Sequence, residues 1–173
     1  MEILFNADGF KRATNHVLSI YKPNPFLCTF MSASLLELLE IEFPERTFNI
    51  KTGDLYFCSE CLFKQDFDLN SQTATHHDEI IANWEGHCWV ELENRYIIDI
   101  SLFRTIYSDK FNKHCKADII SIFGNNRGLL VIDKFDKNII DNFPFKYIER
   151  NVLSDLIING LLKATEEYQL NYL

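Results

Sequence analysis

Three side chains of this sequence have the types that acyl chemistry requires: Cys28, His87 and Asp99. A thiol attacks only as the thiolate, so its surroundings decide whether it reacts. Cys28 falls in the first turn of a helix expected from about Pro25 or Phe26 to Ile41. Unpaired N–H groups and the helix dipole favour negative charge there. The same N–H groups can stabilise an oxyanion developing on an attacked acyl carbon. A histidine would take the thiol proton and return it to the leaving group, and an aspartate would hold the ring. Against this stands the ordinary reading of Cys28 as a small buried residue on an apolar stripe.

His87 and Asp99 share one segment, "GHCWVELENRYIIDIS", residues 86–101. It is expected to form two strands around a polar break. Side chains alternate along a strand, so the loop length decides whether the two residues meet. A two-residue loop at Asn94-Arg95 pairs Glu93 with Tyr96 and puts His87 and Asp99 on opposite faces. A three-residue loop, Glu93-Asn94-Arg95, pairs Leu92 with Tyr96. Trp89 then lies opposite Asp99, and His87 becomes its diagonal neighbour on one face. Such a loop needs a left-handed residue, Asn94 or Arg95. In this register Cys88, Val90, Ile98 and Ile100 make an apolar face suited to a core. His87, Trp89 and Glu91 make a face suited to a partly open cleft.

The stretch "NPFLCTFMSASLLELL", a strand pair, and then "GHCWVELENRYIIDIS" resemble the core of the transglutaminase-like, papain-like superfamily. In that family a Cys opens a helix, a His begins a strand of the form His-x-Trp-Val-Glu, and an Asp ends the next strand. The resemblance covers roughly residues 20–105. It implies a catalytic triad of Cys28, His87 and Asp99, with Trp89 packing near the site or walling a cleft. Arylamine N-acetyltransferases share the order Cys, His, Asp, so the resemblance does not choose the reaction. The spacing from His87 to Asp99 is shorter than in typical transglutaminases, which demands a tight hairpin. No marker identifies a second oxyanion donor; Asn24 and a backbone N–H near Cys28 are the candidates.

The expected function is thiol-dependent acyl transfer through a thioester: a cysteine peptidase, an amide hydrolase or deamidase, or a transglutaminase-like enzyme. The expected substrate is a protein or peptide amide, and no cofactor is expected. An acyl-CoA-dependent N-acyltransferase is an alternative, although no motif for the coenzyme's phosphates is present. The other alternative is a catalytically inactive binding or regulatory module on the same fold. Cys58 and Cys61 in "CSEC" have the spacing of a zinc knuckle, but a structural site needs four ligands and no second CxxC exists. No metal site is therefore expected.

The elements that must position these residues follow from periodicity. Phe10, Ala13, Val17 and Ile20 predict a helix over residues 9–21, with Asp8 or Asn6 as N-cap. "KPNP" breaks it, Asn24 suits an N-cap, and Pro25 suits a first helical turn. Cys28, Met31, Leu35, Leu38 and Leu39 form the stripe of the second helix. "RTFNIKTGDLYFC" predicts two strands around a turn at Thr52-Gly53-Asp54. Residues 64–79 are expected to be loop. "ADIISIF" and "GLLVIDKF" predict two strands joined at residues 124–128. Residues 151–168 predict a closing helix, with Leu153, Leu156, Ile157, Leu161 and Leu162 facing the core. Helices first and a mostly antiparallel sheet after them indicate an α+β class, with N-terminal helices packed on that sheet.

Composition sets outer bounds. A chain of 173 residues suits one domain. A net charge of -8, with no basic cluster, disfavours a nucleic-acid partner. No stretch has the apolar length of a membrane span, and no signal-like segment opens the chain. A cytoplasmic setting is expected, where the five cysteines stay reduced. The sequence leaves the oligomeric state open.

Overall fold

The computed structural model describes residues 4–5, 7–22, 27–71, 84–111, 113–125 and 128–172. Apolar residues at steps of three and four build α1 (Asp8–Ile20), which buries Phe10, Ala13 and Val17. Its N-cap is Ala7, which has no side-chain oxygen; Asp8 is the first helical residue, and Asn6 lies outside the described residues. Helix α2 runs Cys28–Glu42 with Leu27 as its cap. It begins later than the sequence indicates. Asn24 and Pro25 therefore precede it and lie outside the described residues.

Strand β1 (Phe48–Phe57) continues straight through Thr52-Gly53-Asp54, where the sequence predicts a turn. Gly53 is there because another backbone comes close, not because the chain reverses. A Cβ on it would lie 2.0 Å from the Ile148 carbonyl oxygen. The reversal comes at Cys58-Ser59, with Cys58 at φ 52°, and leads into β2 (Glu60–Phe63). A short 3-10 turn covers Leu69–Ser71, and residues 72–83 lie outside the described residues.

Strands β3 (His87–Leu92) and β4 (Tyr96–Asp99) form the expected hairpin. Leu92 pairs with Tyr96 and Val90 with Ile98, so the loop has three residues. Its left-handed residues are Glu93 and Asn94, with Arg95 bonded back to the Leu92 carbonyl. Arg95 also grips Asp133 through two nitrogens, which ties the loop to the neighbouring strand.

Helix α3 (Leu102–Ile106) follows directly. "ADIISIF" is not a strand but most of helix α4 (Lys116–Phe123), closed by Gly124 at φ 74°. A short apolar run has no decisive period, and here one buried side chain, Ile119, anchors a helix. Strand β5 is Leu130–Asp133, and α5 is the single turn Lys137–Ile140. Strand β6 (Phe145–Val152) has no counterpart in the sequence reading. Helix α6 (Asp155–Tyr172) closes the chain. It buries Ile157, Ile158 and Leu161, and Leu153 just before it is buried too, whereas Leu156 is exposed.

The described strands make one sheet in which every pairing is antiparallel, so the class is α+β. Strand β1 is its centre. One edge of β1 pairs with β3 and then β2; the other pairs with β6. Helices α1, α2 and α6 cover one face, where Val17, Met31, Leu35, Ile50, Val90 and Ile98 share a core. Each such side chain contributes about 1.5–3 kcal/mol on burial. The opposite face carries a second cluster around Leu55, Leu102, Phe103 and Ile119. Among the described residues no helix is long and apolar enough to cross a membrane.

Candidate active site

The three-residue loop puts His87 and Asp99 on the same face, and their side chains meet. His87 Nε2 lies 2.6 Å from Asp99 Oδ2. Both are fully enclosed, with His87 only 1% exposed. The face that the sequence suggests as a partly open cleft is thus covered. Phe63 stacks on the imidazole at 5.3 Å, and Trp89 lies alongside at 6.3 Å. Trp89 is itself buried, so it supports the ring and does not wall a cleft.

Asp99 is held from two directions. Its Oδ1 accepts from Ser101 N at 3.1 Å, Ser101 Oγ at 3.1 Å and Leu102 N at 2.9 Å. These donors come from the chain just beyond it, at the start of α3. Its Oδ2 accepts from His87 and from the Tyr147 hydroxyl at 2.7 Å. Burial disfavours the charge, but the His87 charge and these hydrogen bonds override it and hold the carboxyl below its usual range.

Tyr147 is the site residue that the sequence does not reveal. It stands on β6 opposite Leu55 of β1, and parity turns it toward the His87 face. Its ring is half-buried and meets Trp89 edge-on at 5.1 Å. Its hydroxyl end is enclosed, and burial together with Asp99 raises its pKa well above the usual value. The only local signal is the alternation of aromatic and charged residues in "FKYIERNV".

Cys28 is the first residue of α2 and is 6% exposed. Its backbone N–H belongs to the first turn and has no carbonyl partner within the helix. Its thiol is brought down to about 5. The largest influence is a hydrogen bond from Cys88, burial opposes it, and the hydrogen bond and charge of His87 add to it. Burial would lower His87, but the charge and hydrogen bond of Asp99, joined by Cys28, raise it to about 10. With Nε2 committed to Asp99, Nδ1 is the nitrogen left for Cys28. It has no hydrogen bond of good geometry, yet the thiol is close enough for each group to shift the other.

Cys88 points to the helix-covered face and shares the core cluster with Cys28. Its own thiol is raised well above the usual value by burial and by Cys28, so it remains a donor. A hydrogen bond to a charged group is worth about 1.5–3 kcal/mol, or roughly one to two pH units. Cys88→Ala is therefore expected to raise the apparent pKa of Cys28 by about that much. Cys88→Ser, which keeps an O–H donor, should stay close to the parent. The pH profile of iodoacetamide labelling at Cys28 checks this. Superimposable profiles for the alanine variant and the parent would remove Cys88 from the site.

Cys28 and Thr29 open onto a cleft of about 400 Å³. Its other walls are Cys61 to Lys64 of β2 and beyond, Trp84 to Gly86, and Lys113. Thr29 Oγ1 is buried without a hydrogen-bond partner. Asn24, the suggested oxyanion donor, lies outside the described residues. Cys58 occupies the β1–β2 turn, and Cys61 Sγ contacts the Phe63 carbonyl. Among the described residues no group of three or more His, Cys, Asp or Glu side chains could hold a metal ion. Comparison of the chain with protein-family models, curated proteins and solved structures found no match.

Proposed function

We propose that this protein is a thiol-dependent acyl-transfer enzyme, working through a thioester at Cys28 on a transglutaminase-like or papain-like core. The carrying observation is the 2.6 Å contact between His87 Nε2 and Asp99 Oδ2, next to a cysteine that opens a helix. Between about pH 5 and about pH 10 the resting pair is a Cys28 thiolate and a His87 imidazolium. The thiolate forms a bond to the acyl carbon of an amide, and the carbonyl electrons move onto oxygen. N–H groups of the first turn of α2 receive that oxyanion. His87 passes its proton to the departing amine, and the carbon–nitrogen bond breaks. Neutral His87 then takes a proton from water or an acceptor amine, which attacks the thioester and releases the thiolate.

A protein or peptide amide is the preferred acyl donor. The cleft offers Leu62, Phe63 and Trp84 as apolar walls with Lys64, Glu85 and Lys113 beside them. A second reading, a binding module without chemistry, is favoured by the closure of the site, since both Cys28 and His87 are buried.

Iodoacetamide labelling across pH, with the modified cysteine located by mass spectrometry, separates the two readings. An enzyme is expected to label at Cys28 far faster than at Cys58, Cys61, Cys88 or Cys115 at neutral pH. His87→Ala should abolish that advantage, because the thiolate loses its counter-ion. A Cys28 no faster than the other four would sink the acyl-transfer reading and leave the binding module.

A further inference from the structure

Asp99 Oδ2 receives two donors, and both come from strands other than its own. His87 arrives from β3, and Tyr147 from β6. The three donors on Oδ1 are local and fix the carboxylate to the start of α3. Among the described residues Tyr147 is thus the one group that shares an oxygen with His87. A carboxylate oxygen has two lone-pair directions in its plane. The phenol fills one, which leaves the imidazole the other. It also draws charge away from the oxygen that faces the ring.

We propose that Tyr147 is a positioning residue of the Cys28–His87–Asp99 system: its hydroxyl shares Asp99 Oδ2 with His87 Nε2 and so limits the charge that Asp99 presents to the imidazole. The proposal rests on the acyl-transfer reading and deepens it. A ring held too firmly by its carboxylate keeps its proton and is a poor acid toward the departing amine. Tyr147 keeps that hold within a useful range. A mere packing residue would need the ring but not the hydroxyl. The ring contacts Trp89 and His87, while the hydroxyl is aimed inward at a single acceptor.

Among the described residues the charged and titratable groups around this pair are few. Cys28 faces His87 from α2, Asp99 from β4, and Tyr147 faces Asp99 from β6. Cys88 adjoins His87 but turns to the other face and acts on Cys28. Glu91 lies further along the His87 face and is neutralised by Lys51 and Lys134. Among the described residues Tyr147 is therefore the side chain whose removal changes the Asp99 oxygen that faces His87 without touching Cys28.

The test compares Tyr147→Phe with 3-fluorotyrosine at position 147, whose phenol is the stronger acid and the stronger donor. The readout is the His87 Nε2–H proton resonance at neutral pH and the alkaline limb of the imidazole titration. In Tyr147→Phe the charge on Oδ2 rises, the hydrogen bond to His87 strengthens, and the proton moves further downfield. The imidazolium is stabilised, so the alkaline limb moves up by about one pH unit. Fluorotyrosine retains the fold and the hydrogen bond, and both signals should move the opposite way. Signals unmoved by either variant, with Cys28 still hyper-reactive, would overturn the role of Tyr147 and leave acyl transfer standing. A parent His87 that titrates near the free value of about 6.5, beside an inert Cys28, would overturn both.

Discussion

Gly53→Ala is expected to cost about 3 kcal/mol of stability, the upper end of what forced overpacking does. For a domain of this length that lowers the melting temperature by roughly 6–12 °C. The new Cβ would lie 2.0 Å from the Ile148 carbonyl oxygen and 2.9 Å from its carbon. Both atoms are backbone, so no rotamer change relieves the contact. The strand pairing shows how the approach arises. Thr52 pairs with Asn151 but Gly53 pairs with Glu149, so Arg150 is an extra residue in β6. That bulge aims Arg150 at the buried Asp54, which it meets at 2.7 Å. The same displacement presses the Ile148 carbonyl onto Gly53. Relief requires β6 to move away from β1, and β6 carries Tyr147. The substitution is therefore expected to expose the β6 amides to hydrogen exchange and to release Tyr147 from Asp99. Gly128→Ala is the control. A Cβ there meets only Leu18 Cδ1 at 3.1 Å, the end of a flexible side chain that can turn aside, so the cost should stay within about 0.5 kcal/mol. Equal melting temperatures for the two variants would contradict this account of Gly53.

The Thr52-Gly53-Asp54 triplet also shows where local reasoning ends. Glycine between a threonine and an aspartate has the composition of a turn, and nothing nearby says that β6 passes over it. The partner is almost a hundred residues away. Tyr147 is hidden for the same reason: its bond to Asp99 spans 48 residues, and no spacing rule links the two. By contrast, α1, α2 and the β3–β4 hairpin follow from periods and loop parity that a short window contains. His87 and Asp99 were legible together because one hairpin holds both. Helix α4 fell between these cases. Its run of isoleucines suits a strand by side-chain shape, and only Ile119 and Phe123 turn toward the second core cluster, at helical spacing. The enclosure of the His87 face was illegible because its cover comes from β2, β6 and the helices after β4.

Asp99→Asn is expected to leave a folded protein and to lower the proposed acyl-transfer activity about 10⁴-fold, the scale on which a mis-set imidazole acts in a catalytic triad. The amide is the same shape as the carboxylate, so the argument turns on which end faces which donor. Ser101 N and Leu102 N are backbone donors and cannot reverse. They hold the amide oxygen at the Oδ1 position. The NH₂ group must then take the Oδ2 position, opposite His87 Nε2 and the Tyr147 hydroxyl. The hydroxyl can rotate and accept. The imidazole can accept at Nε2 only by placing its proton on Nδ1, the nitrogen left for Cys28. The base that should take a proton on Nδ1 is then already protonated there, and it is neutral overall. His87 falls from about 10, because the charge that raised it is gone. Cys28 loses its imidazolium neighbour and rises from about 5. The window in which thiolate and imidazolium coexist closes from both sides. The pH dependence of stability should change in step. In the parent, the raised His87 adds stability that is full below about pH 6.5 and is lost as pH rises through about 10. The depressed Asp99 adds stability above its unfolded pKa of about 3.9, lost as pH falls further. Both contributions vanish in Asp99→Asn, which should flatten the melting temperature at the acid and alkaline ends. Melting curves across pH, taken with the labelling profile of Cys28, measure the two effects. A variant that keeps a Cys28 thiolate near pH 5 would show that Cys88 and the helix hold the charge without the histidine.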